Sequence, residues 1–351
     1  MEWRLRCKAG APVLDMPSSR YRCHADHFPG VASAAALAIA CWAYAPTGIR
    51  IALQSYSPTQ VALLRFAIAS LVLLGMALAR NIARIRPADL PWIATLALFG
   101  VAGHHVALNF GQRGVSAAAA SCLAQTVPIF TALLARPVLG EIVAPRHWAC
   151  VGLGACGAVL IVKGDHDVSG SWAGGALVLL AALSWGIYFT VQRRTSRRMD
   201  GLSVSCYTVW LGTAMLLPIG LPGLRTGLAQ ASTGANLALV LLGIFPSALA
   251  YMAWNHVLRH REASRASLWL FLIPPVAMLI DVPALHETPS PMLLVGAGLV
   301  ACSVLLLPGS PGAQARQARV RPASIRSLAA RLRWTRPPAP RRRRGGRTGP
   351  P

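Results

Sequence analysis

VSAAAASCLAQTVPIFTALLARPVLGE, Val115–Glu141, is the stretch that decides the fold, because the chain contains its pattern twice. The second copy is REASRASLWLFLIPPVAMLIDVPALHE, Arg261–Glu287, in which Pro128 recurs 146 residues later as Pro274. The same offset holds without a gap across Gly103–Leu160, where 17 of 58 residue pairs are identical. Repetition on this scale indicates that the protein consists of two halves built on one pattern.

The composition indicates that these halves lie in a membrane. Of the 351 residues, 54% are hydrophobic and only 13% are charged, and the mean hydropathy is +0.50, far more apolar than a soluble protein of this length requires. The net charge of +23 falls in short loops and after Pro308, where 12 of the 34 basic residues lie, so no nucleic-acid partner is expected. The eight cysteines form neither a CxxC motif nor a metal-ligand pattern with histidine, so no metal or other cofactor is predicted.

Ten apolar segments are each close to the roughly 17 to 25 residues that a helix needs to cross a hydrocarbon core. They cover residues 31–51, 58–79, 90–110, 116–136, 147–163, 172–191, 203–222, 236–257, 264–282 and 291–307. The predicted fold class is therefore an all-α polytopic membrane protein with ten transmembrane helices. The predicted domains are a cytoplasmic extension (1–30), a first five-helix repeat (31–163), a second five-helix repeat (172–307) and a disordered Arg- and Pro-rich cytoplasmic tail (308–351).

The distribution of basic residues between the segments predicts the orientation. With the N-terminus in the cytoplasm, 29 basic residues lie on the cytoplasmic side, and only Arg50, Arg113, Lys163 and Arg225 lie outside. The positive-inside rule then places both termini in the cytoplasm. Because five crossings is an odd number, the second repeat enters the membrane upside down relative to the first. Inverted repeats are a recurring plan of secondary transporters, in which a midplane site opens to each side in turn.

Several motifs resemble those of the drug/metabolite transporter superfamily, EamA type. They are the paired PVLGE and PALHE blocks, the glycine-rich WACVGLG of Trp148–Gly154, and SWGIYF at Ser184–Phe189. The resemblance covers about residues 31–307 and includes the five-plus-five layout. It implies a transporter of the cell (inner) membrane that moves small metabolites, often amino acids or drugs, outward, and it implies no particular substrate.

Polar side chains inside the spans are candidate solute ligands, because a charge there costs about 2.5 to 3.5 kcal/mol on insertion scales. Arg65 lies well inside the second span and can pair with a substrate carboxylate or with backbone carbonyls. His105 and Asn109 are four residues apart, hence on one helix face, and the repeat maps them onto Tyr251 and Asn255. These four either line a cavity or join helices by hydrogen bonds.

Aromatic residues away from the helix ends are a second set of candidates. Trp42 and Trp185 correspond at an offset of 143 residues, and Tyr188 shares a helix face with Trp185. Such residues are poorly explained as interfacial anchors. They are predicted to form cavity walls, with simple packing as the alternative.

Prolines in the middle of the fourth and ninth spans predict kinks or breaks in both helices, with kinks that serve packing alone as the alternative. Pro128 and the pair Pro274–Pro275 lack amide protons, which frees carbonyl groups near the midplane. Gln125 and Phe271 correspond to each other in the repeat. Together with the prolines they are predicted to form one wall of an asymmetric solute cavity.

The two repeated carboxylates are predicted to be structural. Glu141 and Glu287 end the fourth and ninth spans on opposite sides of the membrane, so they cannot share one reaction centre, and each is expected to cap or brace the next helix. Of the neighbouring histidines, His105 rather than His104 is predicted to contact the solute.

The predicted function is secondary transport of a small molecule, and no enzymatic activity is expected. No GxxxxGK[ST] motif is present, so ATP does not drive the protein directly. The expected partners are the substrate and membrane lipids; coupling to protons, exchange of a second solute and a homodimer stay open. The alternatives are an integral membrane enzyme acting on a lipid-like substrate and a scaffold whose basic tail binds anionic lipid.

Overall fold

The computed structural model describes residues 30–80, 82–115, 120, 123–141, 143–163, 172–196, 198–277 and 291–306. The regular elements of these residues are helices. The predicted N-terminal extension, except Gly30, and the predicted disordered tail lie outside the described residues. Ten helices are labelled here in chain order: α1 (Val31–Ala52), α2 (Pro58–Arg80), α3 (Pro87–Gly114), α4 (Val127–Leu139), α5 (Pro145–Lys163), α6 (Trp172–Thr195), α7 (Gly201–Gly220), α8 (Thr233–His260), α9 (Ala263–Ala277) and α10 (Pro291–Leu305).

Six of these helices, α1, α2, α3, α6, α7 and α8, are long and apolar enough to cross a membrane. A short helix, Leu224–Gln230, connects α7 to α8. Large apolar side chains remain exposed on the outer surface, for example Leu71 (69%) and Leu78 (74%) on α2. Lipid tails rather than water suit such a surface, and the chain is a multi-pass membrane protein.

The helical structure is interrupted at equivalent positions just before α4 and within α9. The chain makes a turn at Gln125 and Thr126, and α4 begins at Val127 with Pro128 in its first turn. Pro128 has no N–H to continue the preceding hydrogen-bond ladder, so the break predicted there is confirmed. In α9 the segment Trp269–Leu272 is a 3₁₀ helix, and it lies just before Pro274 in the second copy.

The helices α3 and α8 each contain a wider π-helical turn. It covers Leu98–Ala102 in α3 and Gly243–Leu249 in α8. The offset of 146 residues places the first segment inside the second. Such turns interrupt the regular i to i−4 ladder and are common at functional sites.

The packing partners of the helices are also related by the exchange of the two halves. The pairs α2–α7, α4–α9 and α5–α10 join equivalent helices, and α3–α6 has α8–α1 as its counterpart. The α3–α6 crossing is close: a Cβ on Gly174 would lie 3.0 Å from the Gly114 backbone. Small residues permit such an approach, which is how helices gain van der Waals contact in a membrane.

Candidate functional site

A cavity lies between α1, α3, α4, α6 and α9. Its empty volume is about 720 Å³, solvent at its mouth included. Most of the described lining is aliphatic, and the polar side chains in it are those of His104, His105, Gln112 and Gln125. The wall has two indole rings, those of Trp42 and Trp185. The cavity therefore suits a solute with a substantial apolar part and few polar groups.

Helix α3 supplies most of the polar wall. His104, His105, Leu108 and Gln112 all line the cavity, because positions three, four and eight residues apart share one helix face. Gln112 adds a buried carbonyl oxygen, Oε1, that accepts no hydrogen bond within the described residues. An acceptor of this kind can receive an N–H or O–H group of a bound solute.

The His104 ring is fixed by two contacts. It stacks on the Trp185 indole with 4.4 Å between centroids and 8° between planes. Its Nδ1 lies 2.8 Å from the Ala181 carbonyl oxygen, and because a carbonyl only accepts, Nδ1 carries the proton and Nε2 is the neutral acceptor. The sequence predicted His105 and not His104 as the solute contact. The position of His104 on the same face of α3 could be read from the sequence, but its stacking on Trp185 could not.

A hydrogen-bond chain runs directly behind the cavity wall. Arg65 donates through Nε to Ser247 Oγ (2.8 Å) and through Nη1 to His105 Nδ1 (3.4 Å). Since arginine only donates, His105 Nδ1 accepts and Nε2 carries the proton. The Nε2–H group then donates to Tyr251 Oη (3.1 Å), and the Tyr251 hydroxyl donates to the Gly100 carbonyl. Both ring nitrogens of His105 are therefore occupied.

The charge of Arg65 is buried beside the cavity. Arg65 is 1% exposed and forms no ion pair with a carboxylate of the described residues. A buried charge is unfavourable unless it is paired or well hydrogen-bonded. Its nearest link to the cavity is His105, so an anionic group of a solute at that end would offset the charge.

The two predicted asparagines join helices at equivalent places. Asn109 Nδ2 donates to the Pro58 carbonyl (2.9 Å), at the start of α2. Asn255 Nδ2 donates to the Gly201 carbonyl (2.8 Å), at the start of α7, and to Ser205 Oγ (3.3 Å). Neither is part of the cavity lining. This geometry matches the interhelical alternative left open above.

The predicted aromatic residues divide between the wall and the layer behind it. Trp42 and Trp185 line the cavity with their centroids 4.9 Å apart, and the Trp42 indole N–H donates to the Pro246 carbonyl (3.1 Å). Tyr188 is 2% exposed and packs so closely on α3 that a Cβ on Gly100 would overlap its ring.

Gln125 and Phe271 are both buried but lie in different surroundings. Gln125 lines the cavity, as do Val127 and its counterpart Ile273. Phe271 packs against α5, where a Cβ on Gly154 would lie 2.6 Å from its ring. The structure thus brings four predicted residues to the cavity wall: Trp42, His105, Gln125 and Trp185. The remaining six lie outside the lining: Arg65, Asn109, Tyr188, Tyr251, Asn255 and Phe271.

Glu141 caps a helix of the other half. Its carboxylate accepts hydrogen bonds from the Ala263 N–H (3.0 Å), the Ser264 N–H (3.1 Å) and the Ser264 hydroxyl (2.7 Å). A carboxylate at a helix N-terminus satisfies free N–H groups and interacts favourably with the helix dipole. The predicted capping role is confirmed. The helix that Glu141 caps, however, is α9 and not the next helix in the chain, α5, so that part of the prediction is wrong. Glu287 lies outside the described residues.

Within the described residues, no group of three or more His, Cys, Asp or Glu side chains is placed to hold a metal ion.

Fold and cavity together are those of a membrane transporter. A model of the EamA-like transporter family matches residues 30–163 and again residues 172–308. The chain therefore belongs to the EamA-like transporter family, and the resemblance seen in its motifs is confirmed. A small-molecule substrate and membrane lipids follow as partners.

Named relatives agree with this assignment. A probable terminal-alkyne amino-acid exporter of Streptantibioticus cattleyicolor is 34% identical over 277 residues, which are 77% of this chain and 91% of that protein. The uncharacterized transporter YdfC of Bacillus subtilis is 36% identical over 260 residues, 74% of this chain and 85% of that protein. A solved structure described only as a crystal structure of a protein shares the fold, with a TM-score of 0.63, 21% identity and coverage of 78% of this chain and 97% of that one.

Proposed function

We propose that the protein is a secondary transporter of the inner membrane that exports a small metabolite, an amino acid or related compound or a drug. The observation that carries the proposal is the cavity between the halves, with the charge of Arg65 held behind its wall by His105. The printed name of the Streptantibioticus relative, a probable amino-acid exporter, points to the same class. The proposal requires no catalytic group and no cofactor.

The equivalence of the two halves supports ten transmembrane helices in two inverted five-helix repeats. Three features recur at matching positions: the helix breaks before α4 and within α9, the π-helical turns of α3 and α8, and the two Asn hydrogen bonds. Glu141 at the end of α4 meets the start of α9, as antiparallel partners require. Alternating access follows when the halves exchange conformations around the cavity.

The distribution of charge supports an outward-facing state. With both termini in the cytoplasm, the cavity residues Ile49, Gln112 and Val178 lie on helix ends near the outer surface. The opposite ends are closed: Glu141 binds the start of α9, and Arg193 donates to the Leu258 and Arg259 carbonyls. The solute therefore leaves from this state. Coupling to protons or to an exchanged solute belongs to the same proposal.

The character of the cavity favours a solute with an anionic group and an apolar body. Among the described residues, the lining contains no aspartate, glutamate, lysine or arginine, and the charge of Arg65 reaches it through the hydrogen bond to His105. A carboxylate at the His105 end would be attracted by this charge, more strongly than in water because the surroundings have a low dielectric constant. The apolar body would contact Leu108, Val178 and Ile273.

The proposal is tested by comparing extracellular metabolites of cells with and without the protein, repeated with Arg65→Ala. We expect one or a few carboxylate-bearing compounds to be enriched outside expressing cells and to return to background in the variant. Arg194→Ala is the matched control, because Arg194 lies over the Trp92 ring and not at the cavity. Equal enrichment with both variants would contradict the role of Arg65, and no enrichment with the unchanged protein would contradict export.

A further inference from the structure

Two equivalent backbone carbonyl groups in the π-helical turns accept hydrogen bonds from side chains of other helices. Gly100 lies in the turn of α3, and Pro246, 146 residues later, lies in the turn of α8. The Pro246 carbonyl accepts from the Trp42 indole N–H (3.1 Å), and the Gly100 carbonyl accepts from the Tyr251 hydroxyl. The two halves therefore use the same acceptor but different donors.

This difference leaves one tryptophan without its counterpart's hydrogen bond. Trp185 is the counterpart of Trp42 at an offset of 143 residues. Its N–H group is buried and makes no hydrogen bond of regular geometry with the described residues, although the side chain interacts with the Tyr251 hydroxyl. Tyr251 thus occupies the carbonyl, Gly100, that would complete the pattern of Trp42 and Pro246 in the other half.

His105 and Tyr251 are also counterparts, 146 residues apart, and they contact each other directly (3.1 Å). Two counterparts can touch only near the pseudo-two-fold axis that relates the halves. In this state Tyr251 donates to the Gly100 carbonyl of α3, while His105 donates to Tyr251. In the arrangement related to this one by the pseudo-two-fold axis, His105 would donate to the Pro246 carbonyl of α8.

We propose that the Gly100 and Pro246 carbonyls exchange donors when the transporter changes state. In the outward-facing state the donors are Trp42 and Tyr251, as seen here; in the inward-facing state they are Trp185 at Gly100 and His105 at Pro246. This inference rests on the inverted-repeat transport proposed above. Because each state makes two such hydrogen bonds, both carbonyl groups stay paired before and after the transition, and each tryptophan stabilises one state only.

The test compares three tryptophan variants. It measures how readily single cysteines react with thiol reagents from each side of the membrane. The full chain, with its eight native cysteines replaced, carries either Ala124→Cys on the present cavity wall or Ala266→Cys. Ala266 is 1% exposed here and is the counterpart of the cavity residue Ala120. Membrane-impermeant thiol reagents applied from outside report Ala124→Cys, and reagents applied to inside-out vesicles report Ala266→Cys.

We expect Trp42→Phe to lower the ratio of outer to inner labelling roughly fivefold, the shift that one ordinary net hydrogen bond supports, and Trp185→Phe to raise it by a similar factor. Tyr251→Phe should lower the ratio, since it frees the Gly100 carbonyl for Trp185. Trp254→Phe is the control. The Trp254 ring lies in the same aromatic cluster, with its centroid 5.3 Å from that of Trp42, but its N–H makes no hydrogen bond in the part of the chain that the structure describes, so the ratio should not change.

The exchange would be overturned if Trp42→Phe and Trp185→Phe shifted the labelling ratio in the same direction. It would also be overturned if either variant gave the same ratio as Trp254→Phe. Absence of inner labelling at Ala266→Cys in every variant would instead contradict alternating access itself. The two failures are therefore distinguishable, and neither measurement depends on knowing the solute.

Discussion

At the scale of single residues, the two adjacent histidines have different roles. Both ring nitrogens of His105 are hydrogen-bonded, one to Arg65 and one to Tyr251. His105 therefore connects Arg65 to the cavity wall, and it can contact a solute through its ring surface but not through a ring nitrogen. His104 uses one nitrogen on the Ala181 carbonyl and keeps Nε2 as an acceptor at the cavity wall. His104 is therefore the histidine better placed to hydrogen-bond a solute.

His104→Phe tests this assignment. The phenyl ring can keep the stacking on Trp185 but has no Nε2 acceptor, and one lost hydrogen bond is worth about 0.5 to 1.5 kcal/mol. We expect the KM for export to rise about three- to tenfold with little change in maximal rate, measured as concentration-dependent transport in vesicles. An unchanged KM would show that His104 only supports Trp185.

The sequence located some cavity residues because their types were informative. Indole, imidazole and amide groups in the middle of apolar spans are expensive to place against lipid, and Trp42, His105, Gln125 and Trp185 all line the cavity. Phe271 could not be placed in this way. Its direction depends on the rotation of α9, which is set by contact with Gly154 of α5, a distant residue that no local pattern reveals.

At the scale of helices, Glu141 joins the two halves on the side opposite the cavity mouth. Glu141→Ala removes three hydrogen-bond acceptor contacts from the start of α9. We expect a loss of about 1 to 2 kcal/mol in stability, measured as a lower thermal transition in detergent.

Glu262→Ala is the matched control for Glu141→Ala. Glu262 is near the same helix start but is partly exposed, and it pairs with Arg265 at 2.8 Å. An ion pair of this kind contributes only about 0 to 1 kcal/mol. Equal losses for the two variants would mean that the cap does not hold the halves together.

The close crossing of α3 and α6 gives a second prediction at this scale. In Gly174→Leu the new side chain would meet the Gly114 backbone, where even a Cβ is 3.0 Å away, and backbone cannot yield as a flexible side chain does. We expect loss of the monodisperse protein on size-exclusion chromatography. Gly75→Leu on α2, with no atom within 4 Å of the new Cβ, should behave like the unchanged protein; a normal profile for Gly174→Leu would contradict the crossing.

At the scale of the whole molecule, the duplicated sequence and the basic residues were enough to predict the architecture that the proposal requires. The offset of 146 residues aligns the sequences of the two halves. The same offset relates their helix breaks and their π-helical turns, and it relates His105 to Tyr251, which contact each other. The order of packing between helices could not be predicted, because it follows from close contacts such as Gly174 on α3. The aromatic and hydrogen-bonded layer behind the cavity wall is a consequence of that packing.

The central claim is that the two halves alternate around the cavity to carry a carboxylate-bearing solute. The most direct measurement is the uptake of a panel of amino acids and related metabolites into vesicles reconstituted with the purified protein, with and without a pH gradient. The account predicts uptake of at least one carboxylate-bearing compound by the unchanged protein and background uptake of it by Arg65→Ala. Failure of every compound to enter, under either condition, would contradict the account.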